Sequence, residues 1–141
     1  MPTSFTGGCI CGTVRYECFA EPVVTANCHC RDCQKAGGSP FASFVAVPTA
    51  ALRLAGEMKY YDTIGDSGKT VSRGFCPNCG ARLLGRSKAS PDVTVILAGS
   101  LDDPNWYRPA LDIFTATAQP WVNMNPELPK FEKEPKQLTE R

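Results

Sequence analysis

The sequence lacks several features that mark particular classes of protein. Its 141 residues include one histidine and two tryptophans, and 15 basic residues nearly balance 14 acidic ones for a net charge of +1. No run of like charges occurs, which argues against a nucleic-acid or membrane-surface partner bound by bulk electrostatics. No apolar window is long enough to cross a bilayer. We therefore expect no nucleic-acid partner and no membrane association, and the sequence does not determine an oligomeric state.

The chain also lacks the pattern of a secretory leader. Its first residues, "MPTSFTGGC", contain no basic segment followed by an apolar stretch, so the pattern predicts no signal peptide. We therefore expect a cytoplasmic location. In a reducing compartment, clustered cysteines are more often metal ligands than disulfide partners, and this chain has eight.

Short segments of alternating polarity, separated by turns rich in glycine and proline, predict a mainly β fold. The predicted strands are residues 13–19, 41–47, 58–63, 81–86, 92–99 and 111–117. One helical turn is expected within residues 48–56, and a second short helix is expected near Cys33. The length suits one domain, predicted over residues 1–131. Residues 132–141 are polar and are expected to form a mobile C-terminal tail.

Seven of the eight cysteines lie in three groups, which suggests metal binding. The groups are Cys9 and Cys11; Cys28, Cys30 and Cys33; and Cys76 and Cys79. The segment "FCPNCG" is the strongest signal, because a tight turn closed by a glycine points both sulfurs at one centre. Such a turn supplies half of a tetrahedral zinc site, so a second pair must complete it. A structural zinc would also contribute folding free energy to a small core.

Spacing alone leaves two groupings of the cysteines open. In one, the Cys-X-Cys pair near the N-terminus joins the Cys-Pro-Asn-Cys pair, and Cys28, Cys30 and Cys33 share a second metal. In the other, the N-terminal pair joins Cys28 and Cys30, and Cys33 joins the Cys-Pro-Asn-Cys pair. A set of disulfides and a redox-active Cys-X-X-Cys are the weaker interpretations, because neither a signal peptide nor a βαβ pattern is present.

Seven thiols are one fewer than two four-cysteine sites require. Cys18 lies mid-strand on the apolar face with Val14 and Tyr16, which favours a role as a small buried hydrophobe. His29 stands between two ligands in an extended segment, so its side chain is expected to point away from the metal. The fourth ligand of the second site is then exchangeable, either water or a substrate thiolate. An open coordination position distinguishes catalytic zinc from structural zinc.

Four motifs in a fixed order carry a resemblance to a known family. They are "GGCICGTVRYE", "CHCRDCQKAGGSPF", "FCPNCGARL" and "DIFTATAQPWVNMNPELPKFE", and they span residues 7–132. Together they resemble the glutathione-dependent formaldehyde-activating enzymes, a family that includes centromere protein V. The resemblance implies a β-tent fold, in which short antiparallel sheets are pinned by zinc. It also implies a carbon–sulfur lyase that acts on glutathione, or another thiol, and a small aldehyde such as formaldehyde.

The resemblance further implies two zinc ions per chain and assigns their ligands. The structural zinc would take Cys9, Cys11, Cys76 and Cys79, and the catalytic zinc would take Cys28, Cys30 and Cys33. These last three would set geometry rather than attack the substrate. The chain departs from the family at Gln34, where a basic residue is frequent, and at Asp112, where a histidine is frequent. If either position touches the substrate, the thiol or its partner differs here.

Other side chains are candidates for the surroundings of the second site. Basic residues that could offset thiolate charge are Arg31, Lys35, Arg73 and Arg82, and Arg31 or Arg73 could hold the carboxylates of glutathione. Aromatic residues that could line a pocket are Trp106, Tyr107, Phe114 and Trp121, although core packing is the expected role of each one taken singly. The loop "DDPNWYRP" is the favoured pocket candidate, because turn-forming residues surround its aromatic pair.

A second class of function stays open beside the enzyme. The chain could be a non-catalytic, zinc-stabilised thiol carrier or a protein-interaction module. The absence of an obvious general base favours this alternative, because His29 is the one histidine and Asp32 is the one carboxylate beside the cysteine triad.

Overall fold

The structure, a computed structural model, describes residues 1–135. Its strands are β1 Phe5–Gly8, β2 Arg15–Cys18, β3 Val24–Cys28, β4 Ala42–Pro48, β5 Leu52–Ala55, β6 Lys59–Ile64, β7 Thr70–Phe75, β8 Arg82–Ser87, β9 Val93–Leu97 and β10 Leu111–Ile113. One α-helix, α1, covers Arg31–Gly37, and 3₁₀ turns cover Thr49–Ala51, Ala98–Ser100, Pro104–Trp106 and Thr115–Thr117. The expected mainly β class is confirmed.

The strands form two sheets. Three strands pair in the order β1-β2-β5, and seven pair in the order β10-β3-β4-β9-β8-β7-β6. The pairs are antiparallel except for β10, which runs parallel to β3. For β6, β7, β8 and β9 the antiparallel arrangement follows from the short turns between successive strands, which cannot provide the long crossover that a parallel pair needs. The pairs β2-β5 and β4-β9 are also antiparallel, but they join strands that are distant in the chain. The parallel pair forms because a long connection separates β3 from β10.

Several predicted elements differ from the structure in their bounds. The helical turn expected in residues 48–56 is a 3₁₀ turn at Thr49–Ala51 that leads directly into β5. The strand expected over residues 111–117 ends at Ile113, because Phe114 adopts a left-handed conformation with φ of 56°. The helix expected near Cys33 is α1. Strand β5 was not predicted, because its residues were included in the expected helical turn. Strands β1, β3 and β7 were not predicted either, since their glycines and polar residues interrupt the alternating pattern.

The main apolar core combines residues from both sheets. Val14, Tyr16 and Cys18 pack in one cluster with Val45 and other residues of the larger sheet. Burial raises the pKa of Tyr16 to about 12, and its hydroxyl lies 2.7 Å from the Ser100 hydroxyl. The predicted role of Cys18 as a small buried hydrophobe agrees with its place in this cluster.

A second, smaller apolar cluster lies on the other face of the larger sheet. It contains Ala26, Cys28, Phe44, Ala46 and Ile113. Because side chains alternate along a strand, β4 contributes Phe44 and Ala46 here, while its intervening valines face the main core. Both faces of β4 therefore pack against other residues, and the face with Phe44 and Ala46 is the sheet face that also carries Cys28.

The chain returns to the larger sheet after β10. Asp112 N–H donates to the Pro129 carbonyl at 2.9 Å, and Phe131 N–H donates to the Asp112 carbonyl at 3.0 Å. The tail predicted for residues 132–141 begins with two residues, 132 and 133, whose carbonyls accept backbone hydrogen bonds. Residues 136–141 of that prediction lie outside the described residues. Within residues 1–135, no helix is long and apolar enough to span a membrane.

Candidate metal centres

Four cysteine sulfurs meet where the loop after β1 faces the loop between β7 and β8. They belong to Cys9, Cys11, Cys76 and Cys79, and all lie within 4.8 Å of one another. The Cys11 sulfur is 3.6 Å from that of Cys9 and 3.8 Å from that of Cys76. A tetrahedral zinc with bonds of ~2.3 Å to sulfur holds its ligands ~3.8 Å apart. The cluster therefore fits a metal ion of this kind.

The Cys-Pro-Asn-Cys turn has the form that its sequence predicted. Gly80 N–H donates to the Cys76 carbonyl at 2.8 Å, and Gly80 adopts φ of 76°, which suits glycine. Cys79 N–H donates to the Cys76 sulfur at 3.5 Å. Backbone N–H donation to sulfur stabilises the thiolate form that binds metal.

The N-terminal turn repeats this arrangement. Cys9 N–H donates to the Val14 carbonyl at 3.0 Å, Val14 N–H donates to the Cys9 sulfur at 3.3 Å, and Gly12 adopts φ of 82°. The Thr13 hydroxyl lies 3.0 Å from the Cys11 sulfur. Hydrogen bonding by Thr13, and then by Asn78, lowers the pKa of Cys11 to about 5. The sequence analysis missed Thr13, although its place two residues after a ligand was a signal.

Three further sulfurs cluster where β3 leads into α1. Cys28 ends β3, Cys30 caps the helix, and Cys33 lies in its first turn, and their sulfurs lie within 4.8 Å of one another. The Cys33 N–H donates to the Cys30 sulfur at 3.3 Å. Among the described residues, no fourth cysteine, histidine or carboxylate joins this group. The structure thus brings the seven cysteines together as one group of four and one of three.

The charge of the three-cysteine cluster is offset locally. Hydrogen bonds from the Cys28 and Cys30 thiols, with the nearby charge of Arg73, lower the pKa of Cys33 to about 3. Arg73 Nη2 donates to the Cys33 sulfur at 4.0 Å, and its Nη1 donates to the Thr63 hydroxyl at 2.9 Å. A thiolate is therefore stabilised at one of the three sulfurs.

His29 points away from the sulfurs between which it stands in the sequence. Its side chain is fully buried, and Nε2 lies 2.9 Å from Asp112 Oδ1. Its ring packs 5.0 Å from the ring of Phe41. The second carboxylate oxygen of Asp112 accepts from Lys130 Nζ at 3.3 Å. Asp112 is therefore a buried partner of His29 and Lys130.

Gln34 is likewise a buried connecting residue. Its amide nitrogen donates to the carbonyls of His29 at 2.6 Å and Thr117 at 3.1 Å, and its amide oxygen accepts from Gln119 at 3.0 Å. Neither Gln34 nor Asp112 borders the cavity beside the cysteines. The two departures from the family pattern are therefore not in a position to touch a substrate there.

A cavity of about 790 Å³ borders the three-cysteine cluster. Three of the four predicted basic residues, Arg31, Arg73 and Arg82, line it, and Lys35 does not. Burial and the charge of Arg73 lower the pKa of Arg82. The Arg82 Nε is buried without a hydrogen-bond partner. The cavity thus has a cationic end beside the cysteines. Its volume is large enough to hold an organic anion.

The four candidate aromatic residues lie in three different surroundings, and Trp106 and Tyr107 have the core-packing role expected of each residue taken singly. Phe114 borders the cavity, but Trp106 and Tyr107 pack against the main core, with the Trp106 ring 5.3 Å from that of Phe5. Trp121 is 69% exposed and does not border the cavity. The prediction that the "DDPNWYRP" loop lines the pocket is wrong, because its 3₁₀ turn directs the aromatic pair toward the core.

Comparison with known proteins gives three findings. A family model described as "Glutathione-dependent formaldehyde-activating enzyme" matches residues 4–117. A Penicillium rubens protein, named provisionally as a glutathione-dependent formaldehyde-activating enzyme, is 33% identical over 88 residues, which are 59% of this chain and 46% of that protein. The matched region thus spans about half the length of that relative. A crystal structure of a Rhodobacter sphaeroides protein covers 89% of this chain and 98% of its own at 20% identity, with a TM-score of 0.57, and shows the fold alone.

Proposed function

The chain belongs to the family of glutathione-dependent formaldehyde-activating enzymes, and from that premise we propose that it joins a glutathione-like thiol to a small aldehyde such as formaldehyde. The reverse reaction is a carbon–sulfur lyase reaction. One observation carries the proposal: three cysteine sulfurs, without a fourth protein ligand among the described residues, border a large cavity with arginines in its wall. That arrangement suits a metal centre whose fourth ligand is a thiol with carboxylate groups, because the arginines can bind those carboxylates.

Two zinc ions per chain are part of this proposal. The structural ion would be held by Cys9, Cys11, Cys76 and Cys79, and the catalytic ion by Cys28, Cys30 and Cys33. The spacing of the sulfurs supports both assignments. When bound, the second ion would lower the pKa of a coordinated thiol, so that the thiol is deprotonated at neutral pH.

The protein's own residues bind and orient the thiol. Cys28, Cys30 and Cys33 set the geometry of the centre and do not attack the aldehyde. Arg31 and Arg73 border the cavity, and a guanidinium can bind a carboxylate through two parallel hydrogen bonds. The hydrogen bond from Arg73 to Thr63 holds one of these groups in place before the thiol arrives.

The chemistry balances without a further reactant. The thiolate sulfur forms a bond to the carbonyl carbon, and the π electron pair of the carbonyl moves to its oxygen. That oxygen then takes up the proton that the thiol released. The product is an S-hydroxymethyl thiol when the aldehyde is formaldehyde, and the reverse sequence breaks the same carbon–sulfur bond.

The test is to mix the protein with glutathione and formaldehyde and to follow the adduct by NMR exchange spectroscopy. We expect a rate above that of the uncatalysed reaction, and a rate equal to the uncatalysed one would overturn the proposal. Cys28→Ala should abolish the acceleration. Cys18→Ala is the matched control, because Cys18 lies in the main core outside both clusters.

A non-catalytic thiol carrier or protein-interaction module is the second candidate. It is favoured by the position of His29, whose ring is turned to Asp112 and so offers no imidazole to the cavity. Glutathione binding without accelerated chemistry would support a carrier. Capture of a protein partner that survives Cys28→Ser would support an interaction module.

We also propose that the protein works in the cytoplasm. All eight cysteines lie within residues 1–135, and each is a free thiol there. Free thiols that serve as metal ligands persist best in a reducing compartment. Fractionation of cells that express the protein at its natural level would test this location.

A further inference from the structure

One wall of the cavity is a continuous apolar surface on the larger sheet. We call it the apolar floor, and its residues are Val24, Ala42, Phe44, Ala46, Val93 and Val95. They share one face because directly paired residues project to the same side of a sheet. Val24 pairs with Ala46, and Ala46 pairs with Val95. The floor therefore crosses β3, β4 and β9, with Phe44 and Ala46 nearly buried at its centre and half-buried residues around them.

The apolar floor begins at the three-cysteine cluster and extends away from it. Cys28 is paired with Ala42 at one end of β3, and Val24 is paired with Ala46 at the other. Four residues of an extended strand cover ~13 Å. A molecule whose reacting carbon lies at the cysteines can thus place a chain of several carbons along the floor.

The floor does not match the two substrates that the family name implies. Formaldehyde has one carbon and needs no such surface. Glutathione carries peptide and carboxylate groups, which would lose hydrogen bonds to water against valine, alanine and phenylalanine side chains. The arginine end of the cavity, with Arg31 and Arg73, suits those polar groups better. The floor is consequently left for an apolar group.

Phe114 adds an apolar side chain near the cysteine end of the cavity, next to Ile113, which pairs with Cys28, and it does so at a conformational cost. Its φ of 56° is the one positive value at a non-glycine residue among the described residues, and it borders the cavity after Ile113. Residues held in such conformations concentrate at functional sites. The conformation ends β10 and places Phe114 beside the cavity instead of continuing the strand.

We propose that the carbonyl substrate of this protein is an aldehyde with an apolar chain of several carbons. Its carbonyl carbon lies at the three-cysteine cluster, its chain lies on the apolar floor, and the thiol occupies the arginine end. This inference rests on the proposed thiol–aldehyde chemistry and changes only the aldehyde. The bonds that form and break are those already described, with an alkyl group in place of one hydrogen of formaldehyde.

Gly85 offers a way to test the floor without disturbing the cysteines. It borders the cavity on β8 and is paired with Val95. A Cβ built at Gly85 would lie 3.7 Å from the Ser72 carbonyl oxygen, an ordinary contact. A β-carbon at this position therefore fits the backbone, and a valine side chain would lie between Val95 of the floor and Arg73 of the neighbouring strand.

The first experiment measures kcat/KM with glutathione for formaldehyde and for the linear aldehydes from acetaldehyde to octanal. Each rate is compared with the uncatalysed reaction of the same aldehyde. We expect kcat/KM to rise about threefold for each added methylene until the floor is covered. A flat series beside an accelerated formaldehyde reaction would overturn the inference and leave the proposed function standing. No acceleration with any aldehyde would overturn both.

The second experiment compares variants by the ratio of kcat/KM for hexanal to that for acetaldehyde. Gly85→Val should lower this ratio at least tenfold, because its side chain takes the place of the alkyl chain. Ile96→Val is the matched control, since Ile96 lies on the same sheet but in the main core, and it should leave the ratio unchanged. An unchanged ratio in Gly85→Val would also overturn the inference.

A binding measurement on the unaltered protein completes the test and does not depend on turnover. Titration calorimetry with S-hexylglutathione and S-methylglutathione compares two unreactive thioethers that differ only in the alkyl group. We expect the hexyl compound to bind at least tenfold more tightly. Equal affinities would contradict an apolar subsite beside the cysteines.

Discussion

The two cysteine clusters use the same ligand atom but are built differently. The four-cysteine cluster joins two turns that lie far apart in the chain, and each turn contains a glycine with positive φ, Gly12 or Gly80. The three-cysteine cluster takes all of its sulfurs from six consecutive residues, 28–33, at the junction of β3 and α1. One cluster therefore ties distant parts of the chain together, whereas the other adds no link between them.

Their surroundings differ in the same sense. Cys9 and Cys76 belong to the main core, where the sulfurs contact each other and Thr13. The three-cysteine cluster instead borders the cavity, with Arg73 in contact with Cys33. We therefore expect neighbouring groups, more than ligand type, to distinguish a site that would stabilise the fold from one that would carry chemistry.

The largest effect expected from this comparison follows loss of a sulfur from the four-cysteine cluster. Structural zinc contributes on the order of 10 kcal/mol to small zinc-dependent folds, so Cys76→Ser should abolish cooperative thermal unfolding. Circular dichroism with metal analysis measures this. Cys30→Ser, in the other cluster, should keep a cooperative transition. A Cys76→Ser protein that melts within a few degrees of the wild type would break the distinction.

Loss of a sulfur from the three-cysteine cluster should affect activity in place of folding. We expect Cys28→Ser to lower the rate of adduct formation at least a hundredfold while the thermal transition stays cooperative. In the cobalt-substituted protein, the absorption of one site should respond to added thiol, and this response should vanish in the variant. An absorption spectrum of the wild type that shows four protein ligands at both cobalt ions, and that does not change on addition of thiol, would contradict an open centre.

Asp112, the buried partner of His29, should stabilise a part of the fold that lies outside the four-cysteine cluster. Asp112 is 1% exposed and bonds both His29 and Lys130. Removing one member of a buried charged network costs about 3 kcal/mol, which we expect for Asp112→Ala in urea unfolding. Asp112→Asn keeps an acceptor for His29 and should cost less. Equal stability of Asp112→Ala and the wild type would remove this role.

Arginine beside the three-cysteine cluster should affect thiol binding more than stability. We expect Arg73→Gln to raise the KM for glutathione about tenfold, the loss typical of one charge-assisted contact. Lys35→Gln is the matched control, because Lys35 does not border the cavity. Steady-state kinetics at two salt concentrations measures both variants, and equal KM values in the two would contradict the assignment.

The smallest effect on stability should come from the ion pair between Arg15 and Asp102, which forms without a metal ion. Arg15 and Thr6 bond Asp102 and lower its pKa to about 2. The pKa of Asp102 in the folded protein lies below its unfolded value of about 3.9. Its bonds to Arg15 and Thr6 therefore stabilise the folded state fully at pH values above the unfolded pKa. This stabilisation is lost as the pH falls through about 2. Asp102→Asn should therefore lower Tm slightly at pH 6, and Arg15→Gln should add little to that loss in the double variant, because both changes remove the same ion pair. Losses of Tm that add up in full would contradict this origin.

The fold was predictable where one local pattern decided it. Turns at glycine and proline and alternating segments identified β2, β4, β6, β8 and β9, because hydrophobic alternation is a local property. Strands β1, β3, β5 and β7 were missed, since their pairing with neighbours outweighs weak local preferences. The strand at residues 111–117 was predicted too long, because the left-handed Phe114 follows from contacts with the returning chain and not from its own side chain.

The amino-acid sequence identified the candidate ligands, since three short cysteine motifs and their turn glycines already indicate where sulfur can gather. Which motifs meet depends on the tertiary structure, because packing of the smaller sheet against the larger one places the loop after β1 against the loop between β7 and β8. The strand order of the larger sheet built the cavity, with its arginine end and its apolar floor, from residues of seven strands. Strand pairing depends on contacts between distant segments, and no local pattern in the chain encodes them.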